Sequence, residues 1–83
     1  MRTVFKYFVP TSEVTVLKLR GDVKHVGLMN NEIFVWAEHS DDKPEVEYHL
    51  QVFGTGRLIP RGAIHIGTVI VHDTYVWHIY QVG

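Results

Sequence analysis

The segment Phe53-Gly54-Thr55-Gly56-Arg57, with Arg61 just beyond it, is the part of the chain best suited by residue type to hold an anion. Two glycines let backbone N–H groups approach a ligand closely, and successive N–H groups can form an anion-binding nest. Thr55 adds a hydroxyl. Arg57 and Arg61 carry planar guanidinium groups of the kind that pair bidentately with phosphate oxygens. The segment is not a Walker loop, because the Gly-Lys-Ser/Thr ending and the following helix are missing, and it is not a dinucleotide fingerprint. A glycine bulge or corner at a strand end accounts for the same residues without a ligand. If a site is present, it combines this loop with a histidine or aromatic side chain from the last strands. The candidate ligand-binding set is Phe53, Gly54, Thr55, Gly56, Arg57, Arg61, His65, His78 and Tyr80.

The chain carries six histidines: His25, His39, His49, His65, His72 and His78. None falls at the helical His-x-x-x-His spacing of zincins or in a finger pattern, so no metal site and no cofactor are expected. Hydrogen bonding to the base or phosphate of a ligand, or to a neighbouring subunit, is the role they favour. Trp36, Trp77, Phe34, Phe53, Tyr75 and Tyr80 offer flat faces on which a nucleobase could stack. Aromatic residues in strands more often fill a core. Alternation puts Trp36 with Phe34 and Glu38, and Trp77 with Tyr75 and Ile79, so both Trp faces are expected to be core. The Val76/His78/Tyr80 face is then left as an interface or pocket wall. Asp41-Asp42 and Glu45/Glu47 flank a turn, where solvated charge is the ordinary state, and no Ser/His/Asp set sits in a nucleophile-elbow context. No catalytic residue is assigned. A signal-cleaving phosphodiesterase would need a metal or an acid–base pair that the sequence does not display.

The elements that must position these residues are strands. Nearly every segment alternates apolar and polar residues, and none sustains a helical stripe. Phe5, Tyr7 and Val9 oppose Val4, Lys6 and Phe8 on a first strand ended by Pro10-Thr11-Ser12. Val14 to Leu19, Val23 to Met29 and Glu32 to Glu38 follow, with Asn30-Asn31 as a hairpin turn between the last two. Glu45 to Phe53, Ala63 to Val71 and Tyr75 to Val82 complete seven strands. A helical turn around Leu58 to Arg61 is limited by Pro60. The expected fold is an all-β antiparallel sandwich, barrel or rolled sheet, one domain over residues 1–83.

An internal repeat sharpens this. Arg20-Gly21 and His25-Val26-Gly27 lead into Val35-Trp36, and Arg61-Gly62 and His65-Ile66-Gly67 lead into Val76-Trp77. Repeats of this kind encode supersecondary units that hide their apolar faces against each other. Strands two to four and five to seven are therefore expected to form two similar three-stranded meanders, with the first strand extra. Only the second copy is preceded by Phe53-Gly54-Thr55-Gly56-Arg57 and followed by His78, which places the site there.

Composition bounds the partners. The chain has 83 residues, no cysteine and 46% hydrophobic residues, so a small core without disulfides or a thiolate zinc site makes a homo-oligomer the expected state. Net charge is −1, without the basic excess of a DNA binder. No apolar run reaches the roughly 18 residues of a membrane span. The N-terminal residues lack the apolar core of a secretion signal, so an intracellular protein away from membranes is expected.

Several elements together resemble a group of small, mostly uncharacterised proteins encoded by tailed bacteriophages and prophages. They are Val4-Phe5-Lys6-Tyr7, Val35-Trp36-Ala37, Phe53-Gly54-Thr55-Gly56 with Ile59-Pro60, Gly67-Thr68 and Val76-Trp77-His78. In that group the first hairpin turn is often Asn-Gly and a His often follows Gly-Thr-Gly, whereas this chain has Asn31 and Arg57. The resemblance implies a phage accessory protein in the cytoplasm of an infected bacterium, countering host defence. Two modes fit that setting: sequestering a nucleotide immune signal, or binding a host defence protein as an inhibitor or adaptor.

Overall fold

The computed structural model describes all residues, Met1–Gly83. It consists of seven strands and no helix: β1 (Arg2–Phe8), β2 (Thr15–Leu19), β3 (Val23–Met29), β4 (Glu32–Ser40), β5 (Val46–Gly54), β6 (Ile64–Val71) and β7 (Tyr75–Val82). All pairings are antiparallel, in a three-stranded sheet of order β1-β4-β3 and a four-stranded sheet of order β2-β5-β7-β6. The small all-β sandwich expected from the alternation is present. Leu58 to Arg61 form no helix.

The alternation sets the core. Ile33, Val35 and Ala37 of β4 face Leu50 and Val52 of β5, Val69 of β6 and Ile79 of β7, with Leu17 and Leu19 of β2 beside them. Val9, just past β1, is sealed into the same cluster and donates its N–H to the Ile33 carbonyl at 2.9 Å. Both hairpin turns use a left-handed backbone. Asn30 and Asn31 have φ of 52° and 62°, and His72 and Asp73 have 55° and 53°. That hand matches the twist of the flanking strands.

The connectivity differs from two consecutive meanders. β2 does not pair with β3; it crosses to the other sheet and pairs with β5. β5 pairs with β7, not β6. The physical reason for the second departure is the long β5–β6 connection, residues 55–63, which closes no tight hairpin and carries the chain past β7. The repeat survives in altered form. In each sheet a strand from outside the hairpin, β1 or β5, lies against the second strand of a hairpin, β3–β4 or β6–β7, and β5 also carries β2 on its far side. β1, expected to be extra, is an integral member of the first unit.

The change of sheet occurs at Arg20-Gly21-Asp22. The Arg20 and Asp22 carbonyls accept the Ser40 and Glu38 N–H groups, each at 2.9 Å, so the corner is stitched to β4. Gly21 is obligatory there because a Cβ would collide with the Glu38 carbonyl oxygen. Tyr48 of β5 ties the corner to the second sheet, its hydroxyl donating to the Gly21 carbonyl at 3.1 Å with Asp22 Oδ1 at 3.5 Å. Burial, reinforced by the Asp22 carboxylate, raises the Tyr48 phenol above its usual range.

β3 packs on β6 and closes one side of the sandwich. A Cβ on Gly67 would lie 2.8 Å from Val26 Cγ2, so the two backbones meet where only glycine fits.

Two outcomes follow for stability. Gly67→Ala should lose roughly 1–3 kcal/mol by overpacking in urea unfolding, and Val26→Ala in the same chain should recover part of that loss. Equal losses with and without Val26 would rule the contact out as the cause. Because the folded-state Tyr48 value is raised, its contribution is complete below about pH 10 and fades as pH climbs through the folded value. Tyr48→Phe should cost about 1 kcal/mol at neutral pH and flatten that alkaline decline in unfolding measured from pH 8 to 12.

Candidate functional site

β5 ends at Gly54, whose partner across the ladder is Trp77 of β7. The chain then turns twice. The Arg57 N–H donates to the Gly54 carbonyl at 3.2 Å, with Gly56 at φ 89° in third position. The Ala63 N–H donates to the Pro60 carbonyl at 3.2 Å, with Gly62 at φ 81° in third position. A positive φ at that position alone is the type II signature and explains both glycines sterically. The loop is thus a pair of corners, and the Arg57 N–H is committed to one of them.

Three open concavities lie at the end of the sandwich, Trp77 lines all of them, and the Gly54–Arg57 corner borders two. One, of about 550 Å³, is walled by Phe53, Gly54, Arg57, Gln51 and Thr11. A second, of about 310 Å³, lies between the end of β1 and the Asn30–Asn31 turn. The third, of about 340 Å³, lies against Thr55 and Tyr75. Tyr75 is 58% exposed and stacks on Trp77, with centroids 6.2 Å apart and planes 15° apart. Trp77 therefore touches the core cluster with one part and the concavities with another.

The remaining candidates form a separate group on the outer face of the four-stranded sheet. There Thr68 and His78 are paired across β6 and β7, and His65 opposes Tyr80. Thr55 Oγ1 lies 3.0 Å from His78 Nε2, Thr68 Oγ1 lies 3.0 Å from His78 Nδ1, and His65 Nε2 lies 2.9 Å from Thr68 Oγ1. Thr68 stands between the two rings and can donate to one while accepting from the other, and Thr55 ends the chain on His78 alone. The edge of Tyr80 meets His65 at 5.2 Å and Phe53 at 5.8 Å. Phe53 is 8% exposed yet stands outside the core cluster. Its ring packs against Tyr80 on the outer face. No group of three or more His, Cys, Asp or Glu side chains converges to hold a metal.

The predicted set is thus divided. Phe53, Gly54 and Arg57 share the groove with Trp77; Thr55, His65, His78 and Tyr80 share the outer face; Gly56 serves the turn. Arg61 is exposed and borders neither. The expectation that both Trp faces are core is corrected for one of them. Trp36 sits on the outer face of its sheet, opposite His25 and Lys6, because Ile33, Val35 and Ala37 occupy the inner positions of β4. Trp77 faces inward as expected, but its place at the sandwich end makes it a site residue as well.

Thr68, Gln51 and Thr11 were missing from the sequence-derived set. For Thr68 the sequence carries no signal, and the reason is structural. The register shift between His65 and Gly67 inserts one residue, so His65 and Thr68 fall on the same side despite their odd spacing.

Residues 1–83 match the family described as Domain of unknown function (DUF7352). No curated protein and no solved structure matches the chain.

Thr68→Val should break the chain at its centre while keeping the shape of the side chain. His65 and His78 should then show changed ring-nitrogen shifts in ¹⁵N NMR, with about 0.5–1.5 kcal/mol lost in unfolding. Unchanged shifts at both rings would show that the hydroxyl does not bridge them.

Proposed function

The chain belongs to the DUF7352 family, and we propose that it is a phage-encoded accessory protein that binds and sequesters a phosphorylated small ligand, such as a nucleotide immune signal, without turning it over. The observation that carries the reading is the juxtaposition of an aromatic pair, Trp77 and Tyr75, with Arg57 around adjoining concavities. A nucleobase finds an apolar face there and a phosphate finds a cation that makes no ion pair within the chain. The Thr55–His78–Thr68–His65 chain adds hydroxyl and imidazole groups on the neighbouring face. The phage setting, and with it the cytoplasm of the infected bacterium, rests on the resemblance of the Phe-Gly-Thr-Gly and Val-Trp-His elements. Binding alone suffices for such a role, because a ligand held by protein in excess over its dissociation constant is depleted from solution. The concavities are open, so a second copy of the chain would deepen the site, in keeping with a homo-oligomer.

A second reading, an inhibitor or adaptor of a host defence protein, is favoured by the outer face of the three-stranded sheet. Phe8 is 47% and Val4 55% exposed there, and Phe8, Phe34, Trp36 and His25 run in an unbroken line of ring contacts.

A thermal-shift series with mono-, di- and cyclic nucleotides separates the two. The ligand reading expects a higher Tm with at least one nucleotide, because a ligand bound only by the native state stabilises it. Arg57→Ala should cost about 1.5–3 kcal/mol of affinity, and the ligand should be recovered intact after the complex is heated. Absence of any shift removes the ligand reading and leaves the protein partner.

A further inference from the structure

The two sheets end in four edge strands, and three of these edges are protected. β3 and β6 each carry a register shift and pack on each other. β2 is five residues long and bears Lys18. β1 has none of this shielding. It runs seven residues without proline or bulge, in unbroken register from Arg2 opposite Ser40 to Phe8 opposite Phe34. Its two cations lean back over their own sheet: Arg2 Nη1 lies 3.5 Å from Glu38 Oε1, and Lys6 Nζ lies 5.3 Å from the centre of the Phe34 ring. Apolar side chains stay open on both sides of the strand. Val4 and Phe8 do so on the outer face, and Phe5, opposite Ala37 on the inner face, is 46% exposed.

We infer that two copies of the chain join along β1, antiparallel, with the twofold axis at Phe5, so that the two three-stranded sheets become one of six. The main chain fixes which groups are on offer. The Val9 N–H donates to the Ile33 carbonyl at 2.9 Å, and the Asp41 N–H donates to the Met1 carbonyl at 3.4 Å. An antiparallel ladder alternates, so Thr3, Phe5 and Tyr7 point their main-chain groups at β4, and Arg2, Val4, Lys6 and Phe8 point theirs at the open side. A twofold at Phe5 sets Val4 against Lys6 and Arg2 against Phe8 of the other copy, and every open N–H and C=O then has a partner. The two Phe5 residues form a non-hydrogen-bonded pair, the kind in which side chains come closest. Charge selects this register. A twofold at Val4 would put Arg2 opposite Lys6, and one at Lys6 would put the two lysines face to face, both unfavourable. With Phe5 at the centre each cation faces an apolar residue. The net charge of −1 leaves little repulsion between copies.

The test is sedimentation of the full chain over a concentration series, with variants that read the register. The unaltered chain should sediment at twice its 9.6 kDa mass. Val4 is 55% exposed, so its replacement should leave the fold intact. Val4→Lys sets lysines opposite each other twice and should raise the dimer dissociation constant roughly tenfold, whereas Val4→Thr should leave it unchanged. The chain has no cysteine, so Phe5→Cys introduces a single thiol. Facing residues of a non-hydrogen-bonded pair have Cα atoms about 4.5 Å apart, within reach of a disulfide, so mild oxidation should link this variant into a covalent dimer. Thr3→Cys should not link, because its two copies lie four positions apart along the strands, roughly 14 Å. A chain that stays monomeric to its solubility limit overturns the inference and leaves the β1 edge to a different protein. A dimer indifferent to Val4→Lys, or one that links through Cys at position 3 and not at position 5, overturns it as well.

Discussion

The close approach of Val26 and Gly67 is the constraint on which the arrangement of the two sheets depends. A sandwich with a short β3–β6 seam needs its sheets near each other along that side, and a Cβ at position 67 would hold them apart. With the seam closed, the β3–β4 and β6–β7 hairpins lie one over the other. Their turn ends then come together at one end of the sandwich. Asn31, Glu32 and Ile33 from one hairpin and Val71 and Trp77 from the other consequently wall a single cavity. The site is a product of sheet packing rather than of any one loop.

The internal repeat makes the same point from another side. Identical letters serve different ends in its two copies. Gly21 avoids a carbonyl at a corner between sheets, whereas Gly62 supplies a positive φ in a type II turn. Gly67 faces inward against Val26, whereas Gly27 faces outward beneath His25 and Trp36. Register shifts separate the latter pair: one falls before His25, the other after His65. A slip of one residue turns every later side chain to the opposite face of its sheet. Both histidines still point outward, and only in the second copy does a threonine hydroxyl stand between two imidazoles.

Legibility in the sequence follows the range of the interactions. Strand positions are local, and alternation locates all seven to within a residue or two. Both turns with left-handed backbone announce themselves through Asn30-Asn31 and the polar His72-Asp73-Thr74. The partner of β2 is not local: its alternation suits either sheet equally, and only the corner pinned to β4 decides. The face of β4 is ambiguous for a related reason. Ile33, Val35 and Ala37 alternate with Phe34 and Trp36, both sets are apolar, and residue size wrongly favours the Trp set. Half of the site suffered in the same way. Phe53, Thr55, His65, His78 and Tyr80 are conspicuous by type, while Thr68 reads as an ordinary strand residue until the bulge beside it is known. Trp77 was visible, but a side chain that is core and wall at once is not distinguishable by alternation.

The path of β2 bears on how the molecule assembles. Its neighbours in the chain, β1 and β3, belong to one sheet, while β2 belongs to the other. Each hairpin can form by itself from adjacent residues. β1 must then find β4, Arg2 opposite Ser40, and β2 must find β5, Thr15 opposite Leu50. Those distant pairings come with a loop-closure cost that local ones avoid, and topologies rich in them fold on millisecond-to-second timescales. Since one chain segment threads both layers, neither sheet reaches its full width while the other is open. Stretching or proteolysis that frees β2 would accordingly loosen both layers at once, and the end cavity they share would vanish with them.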